Sequence, residues 1–498
     1  MNTALIWASA FFFFAVVLGG VALLLMPRFQ RVTLGETDSA ARNLIFIAAA
    51  LVIISCIVPM GLSPVYNGEA GEYRNQYETI TESFLKGQLH FDYEADARLL
   101  AMENPYDMAA RANQGIPFHW DHALYNGRYY MYFGVVPVLL LFLPFRVITG
   151  HALTGYHGTQ IFAAAYIAGL FMLFYHLGRK YFEKTSVSLY VLLCAAVSFF
   201  TLWYAVAAPA LYCMAIVSAM ALAIWSLYFF VKAACLCKSE NKAIAYAALG
   251  SLLGALEFGC RPTVGLSNLV VLPLILIFLQ KRGTSARLLG KMALAALPYL
   301  LVAGGLMWYN HARFGNPFEF GQSYQLTVTD QTAYAGGMLA RFDLKATLRD
   351  MYFYLFNNML SLPALEPLPL IGPFVTFPLL PAAFLLALFP KTIRHLRKSR
   401  LTLFGFSLLV SAAVIMVFEV LWAPIPEPRY RLDFSWLLGI AAFMLIGSGA
   451  QSIRRRRLFH GVFGAACILT MAACAALFLY PFDWNLTYCI KLGVFNSL

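Results

Sequence analysis

The chain has 498 residues, of which 61% are hydrophobic and 12% are charged, and its formal net charge is +12. This composition excludes a soluble globular protein, and apolar runs of about 20 residues, each long enough to cross a bilayer, recur along the chain. The positive charge does not indicate nucleic-acid binding, because most Lys and Arg residues lie in short loops between the apolar runs, as membrane orientation requires.

The apolar runs predict an all-α polytopic membrane protein with about twelve transmembrane helices. The first run lacks a basic segment before it, and an Arg-bearing loop follows it, so we interpret it as a retained span and not as a signal peptide. The predicted spans lie near 4–26, 43–62, 157–177, 187–206, 209–231, 243–260, 263–280, 292–309, 370–390, 401–421, 435–450 and 461–480.

The run 129–148 is apolar enough to cross, but it carries Pro137 and Pro144. If it lies in the interface, six short loops on one side hold more than half of the 36 basic residues, which is typical of cytoplasmic loops. We therefore predict an interfacial segment here and a plasma (inner) membrane protein. Large loops at 63–156 and 310–369, and a short segment around 424–433, then face the extracytoplasmic side.

The first large loop opens with residues 68–87, in which Tyr77, Ile80 and Phe84 lie on one face of a helix. Gly87 supplies the expected helix stop, and Glu69 and Glu72 lie at the other end, where the helix dipole favours negative charge. The pattern predicts an amphipathic helix on the membrane surface. Glu72 is the leading candidate for a catalytic carboxylate, and Glu69 is the alternative.

The same loop continues into the stretch HWDHALYNGRYYMYFG. A carboxylate at a membrane interface is costly unless it is paired, so Asp121 is a second catalytic candidate. Asn126-Gly127 predicts a tight turn. The neighbouring side chains that we expect to line the substrate are Tyr77, His119, His122 and Tyr129.

Three outer segments carry arginines that could bind a phosphate, because guanidinium is a fork donor suited to that group. Arg261, in LEFGCRPT, either faces a cavity or pairs with Glu257 on the same helix. Arg313 lies in a turn that is expected to present it toward the outer leaflet, where it contacts either the donor or lipid headgroups. Arg429 and Arg431, in PIPEPRYRLDF, either bind the donor or pair with Asp433.

No P-loop or dinucleotide-binding glycine pattern is present, so the outer face has no means of using a nucleotide-activated substrate. The nine cysteines show neither zinc-ligand spacing nor a regular framework, and we interpret them as packing residues. The second large loop has helical spacing at 339–358, which predicts another interfacial helix.

These features resemble the GT-C superfamily of polytopic membrane glycosyltransferases, in particular the protein-mannosyltransferase and aminoarabinose-transferase branch. The resemblance rests on the spacing from Glu72 to Gly87, on the juxtamembrane segment 129–148, and on the segments at 309–317 and 428–433. The family's first acid is usually Asp, whereas this chain has Glu72. A second acid of that loop can help to bind a metal in the family, and Asp121 is the nearest match, so a divalent cation on Glu72 and Asp121 stays open.

The resemblance implies transfer of a sugar from a polyprenyl-phosphate donor to a hydroxyl of a lipid, protein or polysaccharide acceptor at the extracytoplasmic face. Such a reaction needs a base for the acceptor and cations for the leaving phosphate, and direct attack predicts inversion. An envelope polysaccharide polymerase or ligase, and a lipid-linked-sugar flippase or secondary transporter, are the alternatives.

The predicted organisation has four parts. An extra N-terminal helix with its basic cytoplasmic loop occupies 1–42, and the GT-C-like module with the large first loop occupies 43–309. The second extracytoplasmic loop is 310–369, and the C-terminal transmembrane helices occupy 370–498.

Overall fold

The structure is a computed structural model, and it describes residues 3–62, 75–209, 211–328, 330–331, 342–356, 359–360, 368–369, 372–422, 428–453 and 455–479. Helices account for nearly all the regular structure in these ranges, which confirms the predicted all-α class. Two short antiparallel hairpins are the exceptions: β1 (Ala123–Tyr125) with β2 (Arg128–Tyr130), and β3 (Met359–Leu360) with β4 (Leu368–Pro369).

Among the described residues, fourteen α-helices come before the second large loop or end at its start, one lies within it, and six follow it. In chain order they are α1 (Thr3–Leu25), α2 (Pro27–Arg31), α3 (Ser39–Leu62), α4 (Gln76–Leu85), α5 (Ala97–Leu100), α6 (Met108–Asn113), α7 (Leu143–Thr149), α8 (Gly155–Tyr181), α9 (Val187–Ala207), α10 (Tyr212–Val231), α11 (Glu240–Phe258), α12 (Pro262–Gly265), α13 (Val271–Arg282), α14 (Ala286–Phe314), α15 (Leu344–Phe356), α16 (Pro373–Thr376), α17 (Leu379–Leu385), α18 (Pro390–Lys398), α19 (Thr402–Trp422), α20 (Leu432–Ser452) and α21 (Arg456–Leu479).

Nine helices in the described ranges are long and apolar enough to cross a membrane, or ten if one bent pair counts as a span. The expected number was about twelve. The helix α11 carries charged residues at both ends and is not among the nine. The first run is helical from Thr3 to Leu25, a length of 23 residues. The nine are Ser39–Gly61, Gly155–Tyr181, Val187–Ala207, Tyr212–Leu236, Pro262–Arg282, Ala286–Phe314, Thr402–Trp422, Arg429–Ser452 and Arg456–Leu477.

The span predicted at 370–390 is not a single straight helix in the described residues. Short helices replace it, and Leu379–Leu388 meets Pro390–Lys398 at an angle of 83°. Proline explains the break, because Pro390 lacks a backbone N–H and restricts the residue before it. The interfacial segment predicted at 129–148 agrees with the structure, where Val138–Thr149 is helical but too short to cross.

Two helices form the centre of the bundle. The apolar windows of Val187–Ala207 and Arg429–Ser452 are buried along their whole length, so these helices contact other helices on every side. Around them, α8 packs on α10, α10 on α11, and α21 on α9. The helix α14 lies at the periphery with most of its apolar residues exposed, as expected for a helix that contacts lipid.

The first large loop folds onto one end of this bundle. Tyr77 and Ile80 of α4 are almost fully buried, which agrees with the predicted apolar face and contributes about 1.5–3 kcal/mol for each side chain. Gly87 ends the helix with a φ of +73°, as its position predicted. Asn126 and Gly127, with φ of 49° and 74°, form the predicted turn of the β1–β2 hairpin.

A glycine brings this loop against the transmembrane helices. A Cβ on Gly134 would lie 2.2 Å from the carbonyl oxygens of Gly259 and Cys260, so no side chain fits there. Two residues later, the Val136 N–H donates to the Gly259 carbonyl at 3.0 Å. This close approach places the loop beside the residues that follow α11, including Arg261.

Candidate functional site

Asp121 is held by groups from three distant parts of the chain. The Asp121 backbone N–H donates to the Leu326 carbonyl at 3.0 Å. The side-chain amide of the buried Gln76 donates to the backbone carbonyl of Asp121 at 2.9 Å. The side-chain oxygens accept hydrogen bonds from the Gln325 amide, at 2.7 Å, and from the Tyr212 hydroxyl. Helix α4, both large loops and the start of α10 therefore meet at Asp121, and the Tyr212 and Gln325 side chains bond its carboxyl group.

The backbone of Asp121 has a φ of 55°, in the left-handed region that few residues other than glycine adopt. Asp and Asn tolerate this conformation better than other side chains do, and the surrounding hydrogen bonds fix it here. Residues in sparsely populated backbone conformations persist only where the surrounding structure holds them in place, and they are concentrated at functional sites. The observation agrees with a functional role for Asp121, which was the second catalytic candidate.

The carboxyl group of Asp121 is 3% exposed, and burial raises its pKa to about 6. The nearby Arg429 acts in the opposite direction by favouring the charged form. The Arg429 guanidinium lies 4.1 Å from the centre of the Tyr212 ring, so arginine, tyrosine and carboxyl group form one cluster. A carboxylate with a pKa near neutrality is suited to accept a proton.

Tyr132 lies within electrostatic range of both Asp121 and Arg261. Its hydroxyl has a pKa raised well above the usual value by burial, and Asp121 and Tyr430 add to the effect. Arg429 and Arg261 lower it. The groups whose charges reach Tyr132 therefore come from the first loop, the end of α11 and the segment before α20.

Arg261 pairs with residues far along the chain and not with Glu257, so that predicted alternative is wrong. Its Nε lies 2.7 Å and 3.0 Å from the two oxygens of Asp433, and a terminal nitrogen lies 3.6 Å from Glu419. Glu257 instead accepts a hydrogen bond from Ser267 at 2.7 Å. A donor phosphate would meet two carboxylates beside Arg261, which favours a role in ion pairing.

The predicted alternative pairing of Asp433 with its close neighbours in sequence is also wrong. Asp433 is fully buried and accepts from Arg261 and, at 2.8 Å, from the Thr263 hydroxyl. Arg431 extends elsewhere and donates from Nε to the Tyr354 carbonyl at 3.1 Å. Local sequence patterns contain no direct indication of these partners, because they lie on different helices.

Arg431 is 3% exposed, and its two terminal nitrogens have no hydrogen-bond partner among the described residues. A buried guanidinium with unsatisfied donors is costly, and a bidentate anion would satisfy both nitrogens together. Of the four predicted phosphate-binding arginines, Arg431 is the one whose environment within the described ranges fits that role most directly. Arg429 lies two residues before it, in the same 3₁₀ helix (Pro428–Arg431).

Arg313 does not face the outer leaflet as expected. It is 5% exposed, and its terminal nitrogens donate to the Met131 carbonyl at 2.5 Å and to Asn310 at 2.9 Å. Its guanidinium also lies 3.9 Å from the centre of the Tyr309 ring. The expected turn is present, since Gly315 ends α14 with a φ of 68°. These contacts join the end of α14 to the first loop.

Three of the four predicted substrate-loop residues, His119, His122 and Tyr129, lie together in an aromatic cluster. The His119 ring is stacked on Tyr93 at 4.2 Å and meets Tyr129 edge-on at 4.9 Å. His122 is buried, and burial lowers its pKa to about 3, so it is neutral at physiological pH. Its Nδ1 contacts the Trp120 carbonyl at 2.8 Å. The cluster supports the chain on either side of Asp121.

Tyr77 packs away from this cluster, where its ring stacks on Phe142 at 5.4 Å. Burial raises the pKa of its hydroxyl well above the usual value, while Arg261 lowers it. Tyr77 therefore lies within electrostatic range of Arg261. Helix α4 thus contributes to the site through Gln76 and Tyr77, its first two residues.

Glu69 and Glu72, the leading catalytic candidates, lie outside the described residues. Helix α4 is described from Gln76, four positions after Glu72. Since Gln76 donates to the Asp121 carbonyl, the chain enters α4 directly beside Asp121. The roles of Glu69 and Glu72 remain predictions.

Of the two acids predicted to share a divalent cation, Asp121 lies within the described residues and Glu72 does not. The two Asp121 oxygens accept hydrogen bonds from Tyr212 and Gln325, and each oxygen has a further lone pair. Within the part of the chain that the structure describes, no three His, Cys, Asp or Glu residues form a group that could hold a metal. A divalent cation shared by Glu72 and Asp121 stays a prediction.

Sequence reasoning missed several residues of this site. Tyr212 opens an apolar helix and Gln325 lies within the second large loop, and neither position suggested a contact with Asp121. Glu419 carried a usable signal, because an acid within an apolar helix is expensive and is a functional candidate by default. Thr263 had no signal of its own.

Neither a family model nor a curated protein matches the chain. Among solved structures, ArnT from Cupriavidus metallidurans in the apo state has a TM-score of 0.46 and 11% identity, with 89% of this chain and 78% of ArnT covered. The Archaeoglobus fulgidus oligosaccharyltransferase tethered with an acceptor peptide has a TM-score of 0.40 and 12% identity, with 88% of this chain and 55% of that chain covered. At these identities and TM-scores the similarity does not define the reaction, so the reaction is argued from the site.

Proposed function

We propose that the protein is an integral-membrane glycosyltransferase that moves a sugar from a polyprenyl-phosphate donor to an acceptor hydroxyl at the extracytoplasmic face. The observation that supports it most is the placement of Arg429 and Arg431 at the end of the bundle that also holds Asp121. The chain thus offers a proton acceptor and cations for a phosphate in one region, and it lacks a nucleotide-binding motif.

The donor phosphate is assigned to Arg431, with Arg429 beside it. The two terminal nitrogens of the buried Arg431 guanidinium have no hydrogen-bond partner in the described part of the chain, and they match two phosphate oxygens in a bidentate contact. As the bond between sugar and phosphate breaks, negative charge grows on the phosphate oxygens, and fixed cations stabilise that charge more than they stabilise the ground state. No strong general acid is needed, because the phosphate leaves as an anion.

The base is assigned to a carboxylate of the first loop, with Glu72 retained as the first choice and Asp121 as the second. Asp121 has the pKa for the task, but its two oxygens already accept hydrogen bonds from Tyr212 and Gln325. Its second function is positioning, because its backbone carbonyl accepts a hydrogen bond from Gln76, the first residue of α4. Attack by the acceptor oxygen on the anomeric carbon, with this one base, inverts the configuration.

The test measures transfer from a radiolabelled polyprenyl-phosphate sugar in membranes that contain the protein. Glu72→Gln is expected to abolish transfer, and Asp121→Asn is expected to reduce it. Glu94→Gln is the matched control, because Glu94 is an exposed carboxylate of the same loop. Full activity of Glu72→Gln, with loss in Glu69→Gln or Asp121→Asn, would move the base to that residue.

The same assay separates the alternative functions. Substrate-dependent uptake without transfer from any donor would favour a flippase or secondary transporter. Joining of preassembled polysaccharide, without transfer of single sugars, would favour a polymerase or ligase. Retention of anomeric configuration in the product would overturn the single-displacement step.

A further inference from the structure

A cavity of about 570 Å³ lies at the opposite end of the bundle from Asp121. Leu189, near the start of α9, lines it, whereas α9 ends at Ala207 beside the segment that leads to Tyr212. At 1.5 Å per residue, that helix separates the two ends by about 30 Å. The cavity is therefore distinct from the proposed catalytic site.

Three connections between helices enclose this cavity. The chain after α2 runs beside the turn between α8 and α9, where the Leu34 N–H donates to the Thr185 carbonyl and the Val187 N–H donates to the Val32 carbonyl, both at 2.9 Å. Ile453 after the end of α20 and Arg456 at the start of α21 form the third side. These backbone hydrogen bonds fix two of the three walls.

The charge of the cavity is strongly one-sided. Four exposed basic side chains surround its mouth, and no acidic residue is among its described lining residues. Basic side chains that surround one cavity lower the energy of an anion bound there and attract it from solution. The four are Arg31, Lys184, Arg456 and Arg457.

Deeper in the cavity the lining changes from basic to mixed polar and apolar. His460 and Ser186 are both 8% exposed, and the Ser188 hydroxyl lies 2.7 Å from the His460 Nε2, which fixes the ring. Leu189 and Phe459 supply buried apolar surface beside them. A ligand that fits this lining is anionic at one end and apolar at the other.

We infer that this cavity binds a phosphate-bearing anion, with the phosphate at the four basic side chains. The volume falls within the range of roughly 300–1,000 Å³ that is typical of small-molecule sites. Two sources share this chemistry, namely the headgroup of an anionic phospholipid and free phosphate. The apolar side of the lining fits the glycerol and first acyl carbons of a lipid, and basic pockets between membrane helices bind such headgroups.

The experiment uses the full chain purified in detergent. Thermal unfolding is followed while phosphatidylglycerol, phosphatidylcholine or inorganic phosphate is titrated, and native mass spectrometry counts the retained lipid. The test variant is Arg456→Gln with Arg457→Gln. The matched control is Arg397→Gln with Lys398→Gln, which removes two exposed charges from α18 at the same end but outside the cavity. The contact of His395 with the Tyr181 carbonyl at 2.9 Å places α18 there.

Phosphatidylglycerol is expected to raise the unfolding temperature saturably, and phosphatidylcholine is not. At about 1 kcal/mol for each basic residue, the test variant should bind phosphatidylglycerol roughly 30-fold more weakly. The control should bind as the parent chain does. A saturable effect of inorganic phosphate that disappears in the test variant would identify free phosphate as the ligand, and its absence would identify the lipid headgroup.

Three results would overturn the inference. The first is an equal response to phosphatidylcholine and phosphatidylglycerol, and the second is no response to any of the three additives. The third is an equal loss in the control variant, which would show a general surface-charge effect. Native mass spectrometry keeps the lipid comparison valid even if the test variant unfolds at a lower temperature, because it counts bound lipid directly.

Discussion

Replacing Asp121 by Asn is expected to change how the stability of the protein depends on pH. Burial raises the pKa of this carboxyl group from 3.8 to about 6, so the folded protein holds its proton over a range in which the unfolded chain has released it. The change corresponds to about 3 kcal/mol in the free energy of unfolding.

The sign follows from which state binds the proton. Below pH 3.8 the carboxyl group is protonated in both states, and its stabilising contribution is fully present. As the pH rises through about 6, the folded protein must ionise a buried group, and that contribution is lost. The amide that replaces the carboxyl group cannot titrate, so the variant should lose less stability than the parent chain between about pH 4 and pH 7.

The assay compares thermal unfolding of the two proteins in detergent at a fixed scan rate, in steps from about pH 4 to pH 7. Glu78, whose pKa burial raises to about 7, titrates in both proteins and cancels in the difference. The gap between parent and variant should change by the equivalent of about 3 kcal/mol over this range. Parallel curves would refute the account of Asp121 as a buried, protonated acid below pH 6.

Three further predictions follow from the site. Arg431→Gln should lower kcat/KM for sugar transfer by about 100-fold or more, because it removes the cation that binds the leaving phosphate. The yield of folded protein should change little. Unchanged kinetics would contradict this role. Arg261→Gln should destabilise the protein by about 3–5 kcal/mol, because it leaves Asp433 buried without its partner. Adding Asp433→Asn to this variant should restore much of the unfolding temperature. Additive losses in the double variant would contradict the pairing. Gly134→Ala should lower the unfolding temperature, because its Cβ would collide with the Gly259 carbonyl, whereas a wild-type value would contradict that contact.

Local patterns in the sequence were sufficient for features that depend on a few neighbouring residues. The period of Tyr77 and Ile80 predicted the buried face of α4, and Gly87 predicted its end, because helix periodicity and left-handed backbone are local properties. Asn126-Gly127 predicted the hairpin turn for the same reason. Hydropathy and the distribution of basic loops predicted a polytopic helical membrane protein.

Contacts between distant residues were not accessible in this way. Arg261 pairs with Asp433 across 172 residues, whereas the sequence suggested Glu257 four positions away, and helical spacing says nothing about partners on other helices. Arg313 was expected at the lipid surface, but it is buried against the Met131 carbonyl of the first loop. An arginine at the end of an apolar run has the same local sequence pattern whether it lies at the lipid surface or is buried against another segment.

The sequence by itself determined the class of protein, the amphipathic helix at the start of the first loop, and the set of carboxylates and arginines from which a site could be built. Only the tertiary structure decided which of them meet. Asp121 gains its environment from Tyr212 and Gln325, which lie 91 and 204 residues away. The packing around Arg431 buries its guanidinium and leaves its terminal nitrogens without a hydrogen-bond partner among the residues that the structure describes. Burial sets the energy of a charge, and burial depends on how helices pack against one another.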